Sequence, residues 1–357
     1  MSDQSPPAGP PPSSSPGEPD PVTGRPDPLP TDPTAPGPVG SPGGHPGQAG
    51  VPGGYPGQTP YGWYHPAAYG FGPAQGFDPM DPLVTPPGFG FGGWFARCSG
   101  AVRRGWRLLL PILLLTQVLP AVVLSVFGLA VDPSARWNTQ LTSDAEALPP
   151  GFLVDLTAFV VVLIGGSLLL GLVQCLGWAA GTWVIARQAA GEPVDLGASL
   201  RYGLRRALGL WGWLIIFTVI MTIGFCLCLL PGVYAAFALA MAGPIYLFER
   251  RDPIGRSHRM LRDRLGLLLG RVALVIAVVI AVSMLGGMVE SIGLVPFGVA
   301  PFASPGATVG AVLAIGVSAL LALPAHLAQL VGLVVTYAEQ RAHEGPVNSA
   351  QLAAELG

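Results

Sequence analysis

The chain has 357 residues, 50 of them glycine and 39 proline, with 11% charged residues, a formal net charge of −2 and a mean hydropathy of +0.53. Pro and Gly at that level belong with polar, disordered chains, while the hydropathy belongs with a membrane protein, so the mixture excludes a single soluble domain, a collagen-like rod and a wholly disordered chain. The conflict resolves on dividing the chain near residue 92: residues 1–92 hold 25 prolines, 19 glycines and one basic residue against seven acids, and residues 93–357 hold the long apolar runs with 17 arginines against 13 acids.

Residues 1–92 read as a disordered cytoplasmic tail. Its first 30 residues lack a basic segment followed by an apolar one, so no cleavable signal peptide is expected. A short repeat follows, Pro42-Gly-Gly-His-Pro-Gly-Gln48 echoed by Pro52-Gly-Gly-Tyr-Pro-Gly-Gln58, and then aromatics spaced by Gly and Pro, from Tyr61 to Phe91. No periodicity gathers these rings on one face, so the segment builds no core. It reads either as a multivalent tail that recruits a cytoplasmic partner or as a tolerated low-complexity extension. The string Gly88-Phe-Gly-Phe-Gly-Gly93 is not a phosphate loop, since no strand precedes it. Lysine is absent throughout, which together with the Ala, Gly, Pro and Arg content points to a GC-rich bacterial genome. No basic stretch interleaved with aromatics suggests nucleic acid.

A bilayer core needs about 20 apolar residues of helix. Residues 108–131 and 156–185 satisfy this. Residues 210–248 are too long for one span, at about 58 Å of helix, and Pro231-Gly232 near the middle is turn chemistry. Two spans are therefore expected there, 210–230 and 232–248. Spans at 272–294 and 309–337 complete the expected class: an all-α, polytopic membrane protein with six transmembrane helices, preceded by a disordered Pro/Gly-rich tail and ended by a short cytoplasmic tail, residues 346–357. Sixteen of the 17 arginines after residue 92 fall on one side of this plan and only Arg136 on the other. By the positive-inside rule both termini are cytoplasmic and the membrane is the plasma membrane.

Two cytoplasmic segments have amphipathic spacing. In 195–210, Leu196, Leu200, Leu204 and Leu208 recur every four residues beside Arg201, Arg205 and Arg206, with Asp195 placed as an N-cap. In 253–271, Arg256, Arg259 and Arg262 recur beside Met260, Leu261 and Leu265, with Pro253 in the first turn. Both fit helices lying in the headgroup layer with their guanidinium groups on anionic phospholipids. Arg205-Arg-Ala-Leu-Gly-Leu210 resembles Arg262-Asp-Arg-Leu-Gly-Leu267, and Arg103-Arg-Gly-Trp-Arg-Leu-Leu109 is a looser third instance. The domain thus reads as three units, each a basic interfacial helix followed by a transmembrane hairpin.

Residues 195–275 also resemble a family. The segment Ser199 to Ala207, the turn Leu230-Pro-Gly-Val-Tyr234, the string Ala242-Gly-Pro-Ile-Tyr-Leu-Phe-Glu249 and the following Arg-Arg-Asp-Pro-Ile-Gly-Arg-Ser257 are similar to the glycerophosphoryl diester phosphodiesterase membrane domain and to the YciC-like inner-membrane proteins. What this resemblance implies is a polytopic integral membrane protein. The phosphodiesterase of the family name belongs to a separate soluble barrel, which has no counterpart in this sequence, so no hydrolase activity is implied.

Polar groups inside spans are functional candidates. Glu249 ends the fourth span beside two arginines and reads as an interfacial ion pair. Glu290, late in the fifth span, reads either as interfacial or as a proton or cation ligand. His326 and Gln329 share a face of the sixth span and, with Gln117 and Gln174, either line a polar path or hydrogen-bond between helices. Asp155 reads as a residue favoured by a helix N-terminus. Gly165-Gly-Ser-Leu168 lacks the Gly that an intramembrane serine protease needs after its Ser167. Cys98, Cys175, Cys226 and Cys228 match neither a disulfide framework nor a zinc site, and no cofactor or metal motif is present. The first reading is a non-catalytic membrane protein that engages lipid through basic helices and recruits partners through its tail. The alternative is a transporter or permease component, disfavoured by the absence of a nucleotide-binding motif and of a broken helix pair.

Overall fold

The computed structural model describes residues 76–134, 137, 151–298, 301–302 and 304–357, all within one compact unit, Ala68–Gly357. Expectations for residues 1–75, and for Arg136, lie outside the described residues. Among these residues the chain is all-helical: α1 (Gly90–Leu113), a π-turn (Leu114–Val118), α2 (Leu119–Val131), α3 (Phe152–Ala189), α4 (Leu196–Leu227), α5 (Leu229–Leu239), α6 (Ala242–Phe248), α7 (Pro253–Asp263), α8 (Leu265–Leu294), α9 (Pro305–Leu321), α10 (Leu323–Glu344) and α11 (Ser349–Leu356). Among the described residues six helical stretches are long and apolar enough to cross a membrane: Gly90–Val131, Phe152–Ala189, Leu196–Leu227, Leu229–Phe248, Leu265–Phe297 and Pro305–Glu344. Large apolar side chains such as Leu153, Leu169, Met284 and Val309 stand exposed on their outer faces, a surface that suits lipid and not water. The protein is a multi-pass membrane protein.

Proline sets where these stretches bend. Pro120 has no N–H to return to the carbonyl of Thr116, and the π-turn lies just before it, so the first stretch runs 42 residues with a shifted ladder inside. Pro244 likewise has none for Ala240, and the fourth span breaks at Ala240–Met241 into α5 and α6. Pro324 accompanies a third interruption, at Ala322 between α9 and α10. The expectation of no broken helix pair is therefore corrected. The turn between the third and fourth spans is also displaced. It is Cys228, extended at φ −174° and ψ 157°, and Pro231 sits in the first turn of α5, where its missing N–H is harmless. Gly232 is required for another reason: a Cβ there would stand 2.3 Å from the Phe225 ring, so glycine lets α5 close against α4.

The reading of three separate basic helices holds for one unit. The Asp195 carboxylate does cap its helix, accepting from Ala198 N at 2.8 Å, but α4 runs unbroken from Leu196 to Leu227 because nothing between the basic and apolar parts interrupts it. The Arg103 segment is likewise internal to α1. Only α7 is separate, capped by Asp252 and ended at Arg264. Its apolar face does not lie on lipid. Ser257, Met260 and Leu261 are buried within the protein itself.

Both ends of the domain are more ordered than composition suggests. Leu83, Val84 and Thr85 are fully buried, in a segment assigned by composition to the disordered tail. Proline-rich backbone has carbonyls with no ladder partners, and arginines of α1 satisfy them: Arg97 donates to Val84 O at 2.8 Å and Pro79 O at 2.9 Å, and Arg104 donates to Pro82 O at 3.0 Å. The expected C-terminal tail is α11, capped by Asn348 and buried through Leu352, Ala353 and Leu356. Asp81 joins the two ends, accepting from Leu83 N, Val84 N, Ser349 N and Ser349 Oγ at 2.6–2.9 Å. The described ends of the domain therefore share one side of the bundle.

Candidate intramembrane site

A polar side chain in an apolar helix needs a partner or a cavity. The π-turn carries Gln117 into the bundle, where its Nε2 donates to the main-chain carbonyl of Gln174 at 3.0 Å. Its neighbour Thr116 donates to Ile112 O and presses against α3 at Gly177, where a Cβ would stand 1.9 Å from Thr116 Oγ1. Only glycine permits that approach. Beyond the Ala322 interruption, α10 presents His326 and Gln329 one turn apart on one face.

These residues converge. Gln117, Gln174, Thr182, His326 and Gln329 all line one cavity of about 450 Å³, whose remaining walls are Cys175 and Trp178 of α3 and apolar side chains of α4, α5, α6, α8 and α10. The break in the fourth span forms part of the wall, through Ala240, Gly243 and Pro244. Gly243 leaves open space where a Cβ would stand. Thr182 donates back to Trp178 O. Among the described residues, the imidazole of His326 and the side-chain amides of Gln174 and Gln329 have no hydrogen-bond partner. Cys175 shares the cavity as a buried free thiol, without a hydrogen bond to His326. No Asp, Glu or Arg lines it. The arrangement can therefore hold an uncharged solute by hydrogen bonds in apolar surroundings.

The other candidate residues lie elsewhere. Glu290 is outside the cavity and half-buried, where Ser318 Oγ stands 3.0 Å from its Oε2 and 3.0 Å from Gly286 O, tying α8 to α9. Glu249 belongs to a network at the arginine-rich end. It accepts from Tyr337 OH at 3.1 Å and from Arg256 Nε at 3.1 Å, Arg256 also pairs with Glu344, and Arg341 bridges Tyr337 to Glu355 on α11. Burial opposes the Arg256 charge, but the hydrogen bond to Glu344 and the attraction of Glu249 outweigh it and leave its pKa raised. Arg256 is thus withdrawn from the lipid-headgroup candidates, since its guanidinium is already paired. Arg259 pairs with Asp252 at 3.3 Å, and Arg206 is half-buried over the Tyr202 ring. Arg201, Arg205 and Arg262 are exposed and, among the described residues, form no ion pair.

Sequence reading missed one buried pair. Arg271, counted as a loop arginine, meets Glu339 in two hydrogen bonds of 3.2 Å, with the two residues 8% and 2% exposed. The guanidinium lies 5.0 Å from the Phe91 ring and 5.5 Å from that of Trp94, whose Nε1 donates to Thr336 Oγ1. A signal existed: Arg271 directly precedes the fifth span and Glu339 closely follows the sixth, so the two face each other if those spans are antiparallel neighbours. Among the described residues no cluster of His, Cys, Asp and Glu is placed to hold a metal ion. Comparisons with protein-family models, with curated proteins and with solved structures each return no match.

Proposed function

We propose that the protein is a non-catalytic binding protein of a bacterial plasma membrane that holds a small molecule in this cavity between its helices. One observation carries this reading: polar side chains from the π-turn, α3 and α10 converge on a cavity of about 450 Å³, and three of them have no protein partner among the described residues. Polar groups left unpaired in an apolar setting are costly unless something else satisfies them. A permease component is the stronger form of the same reading, supported by helix breaks beside the cavity. The test uses Gly243→Phe, which fills the cavity from a position with room for a side chain. Small molecules extracted from the full chain in nanodiscs are identified by mass spectrometry. A compound near one per protein, depleted at least fivefold in Gly243→Phe at matched thermal stability, is the expected result. Identical small-molecule content in both proteins would remove the reading.

A second role is favoured by the exposed, unpaired Arg201, Arg205 and Arg262. On this reading the arginine-rich end faces the cytoplasm and engages anionic phospholipid, and residues 1–75 recruit a partner protein. Deleting residues 1–75 and finding the same co-purifying proteins would dismiss the recruitment. The resemblance of residues 195–275 to the glycerophosphoryl diester phosphodiesterase membrane domain supports membership of that group and adds no activity.

A further inference from the structure

The cavity's walls also restrict the chemistry of its occupant, an inference that rests on the cavity being a binding site. A carboxylate, phosphate or ammonium group placed there would meet no permanent opposite charge, because no Asp, Glu or Arg is present and the sequence has no lysine. What the walls offer instead is one imidazole and the amides of Gln174 and Gln329, each able both to donate and to accept. That set matches a hydroxyl or a carbonyl. Most of the rest of the lining is apolar, including Phe217, Val275, Val279 and Leu333, and calls for a hydrocarbon body.

The way in is lateral. Two wall residues, Leu214 on α4 and Ile280 on α8, are 40% and 53% exposed on helix surfaces that are otherwise apolar. These two helices scarcely touch each other, whereas each packs closely on its sequence neighbour, α4 on α5 and α8 on α9. The gap between them opens the cavity toward the surface that lipid covers. The polar side chains come from the other walls, on the π-turn, α3 and α10.

We infer that the cavity takes an uncharged amphiphile, an alkyl or prenyl chain ending in a hydroxyl or carbonyl. It enters from the bilayer between α4 and α8 and sets its head on His326, Gln174 and Gln329. A buried polar head and an apolar path of entry both follow from this arrangement, and neither depends on the arginine-rich end.

The experiment is photolabelling of the full chain in phosphatidylcholine nanodiscs. The probes are a hexadecanol and a palmitate, each with a diazirine near its head, and the labelled residues are mapped by peptide mass spectrometry. The alcohol is expected to label the cavity faces of α3 and α10, at least fivefold less in Gly243→Phe and in Leu214→Trp, and the palmitate to leave those faces unlabelled. His326→Gln, which keeps a donor and an acceptor, is expected to retain labelling that His326→Ala loses, at equal melting temperature. Equal labelling of the cavity faces by palmitate would overturn the uncharged class. Alcohol labelling confined to outer helix faces and indifferent to Gly243→Phe would overturn the amphiphile altogether. In that event, a polar compound still depleted from Gly243→Phe extracts would leave the binding reading standing, and no depleted compound would end both.

Discussion

Arg271 and Glu339 illustrate how a single residue is held in apolar surroundings. Two charges taken out of water are tolerated because each satisfies the other twice, at 3.2 Å, and two aromatic rings cover the guanidinium. Removing one partner leaves the other buried and uncompensated, which typically costs about 3–5 kcal/mol. Glu339→Leu and Arg271→Leu are each expected to lower the thermal midpoint strongly, measured by tryptophan fluorescence in nanodiscs. The double substitution is expected to recover most of the loss, because no unpaired charge remains. Additive losses in the double mutant would contradict a direct pair. His326 and Glu290 differ in the same terms. Glu290 has Ser318 as a partner and, among the described residues, the imidazole has none, so Glu290→Gln is expected to leave the cavity's contents unchanged and His326→Ala to reduce them.

At the level of elements, the ends of the domain depend on one another. The carboxylate of Asp81 holds the N-terminal segment and the first turn of α11 together, and Arg341 secures the far end of α11 through two hydrogen bonds to Glu355 at 2.8 and 3.0 Å. Loss of a capping side chain costs about 0.5–2 kcal/mol. Asp81→Ala is therefore expected to speed hydrogen exchange across α11 while leaving α3 and α8 protected. Truncation draws the same boundary: a chain starting at residue 76 is expected to melt as the full chain does. A chain starting at residue 90 loses buried Leu83 and Val84 and is expected to melt several degrees lower. Equal midpoints for the two truncations would show that residues 76–89 contribute nothing.

For the whole molecule, the shared side of the two ends follows from the Asp81–Ser349 hydrogen bonds, and the even number of spans agrees with it. The cytoplasmic placement proposed for that side rests on the positive-inside rule, since the arginines gather at the same end. Met80→Cys and Gln351→Cys, both exposed, are expected to react with a membrane-impermeant maleimide only after cells are opened, in a chain whose native cysteines are replaced. Reaction of either in intact cells would reverse the orientation.

Residue order alone was enough for the helical class, the six spans, the Asp195 cap and the separation of α7 at Pro253. Each of these depends on residues within a few turns of one another, where hydropathy and capping are local sums. It also singled out Gln117, Gln174, His326 and Gln329 as one polar set, though not the cavity they line. Composition misplaced the boundary near residue 92, because the carbonyls of a proline-rich segment are satisfied by arginines as many as 22 residues ahead. Tertiary structure alone decided the Arg271–Glu339 pair, the docking of α11 and the burial of α7 within the protein. It alone decided the cavity as well. These depend on groups brought together from 68 to 268 residues apart, and on space left between helices, which no local pattern of residues records.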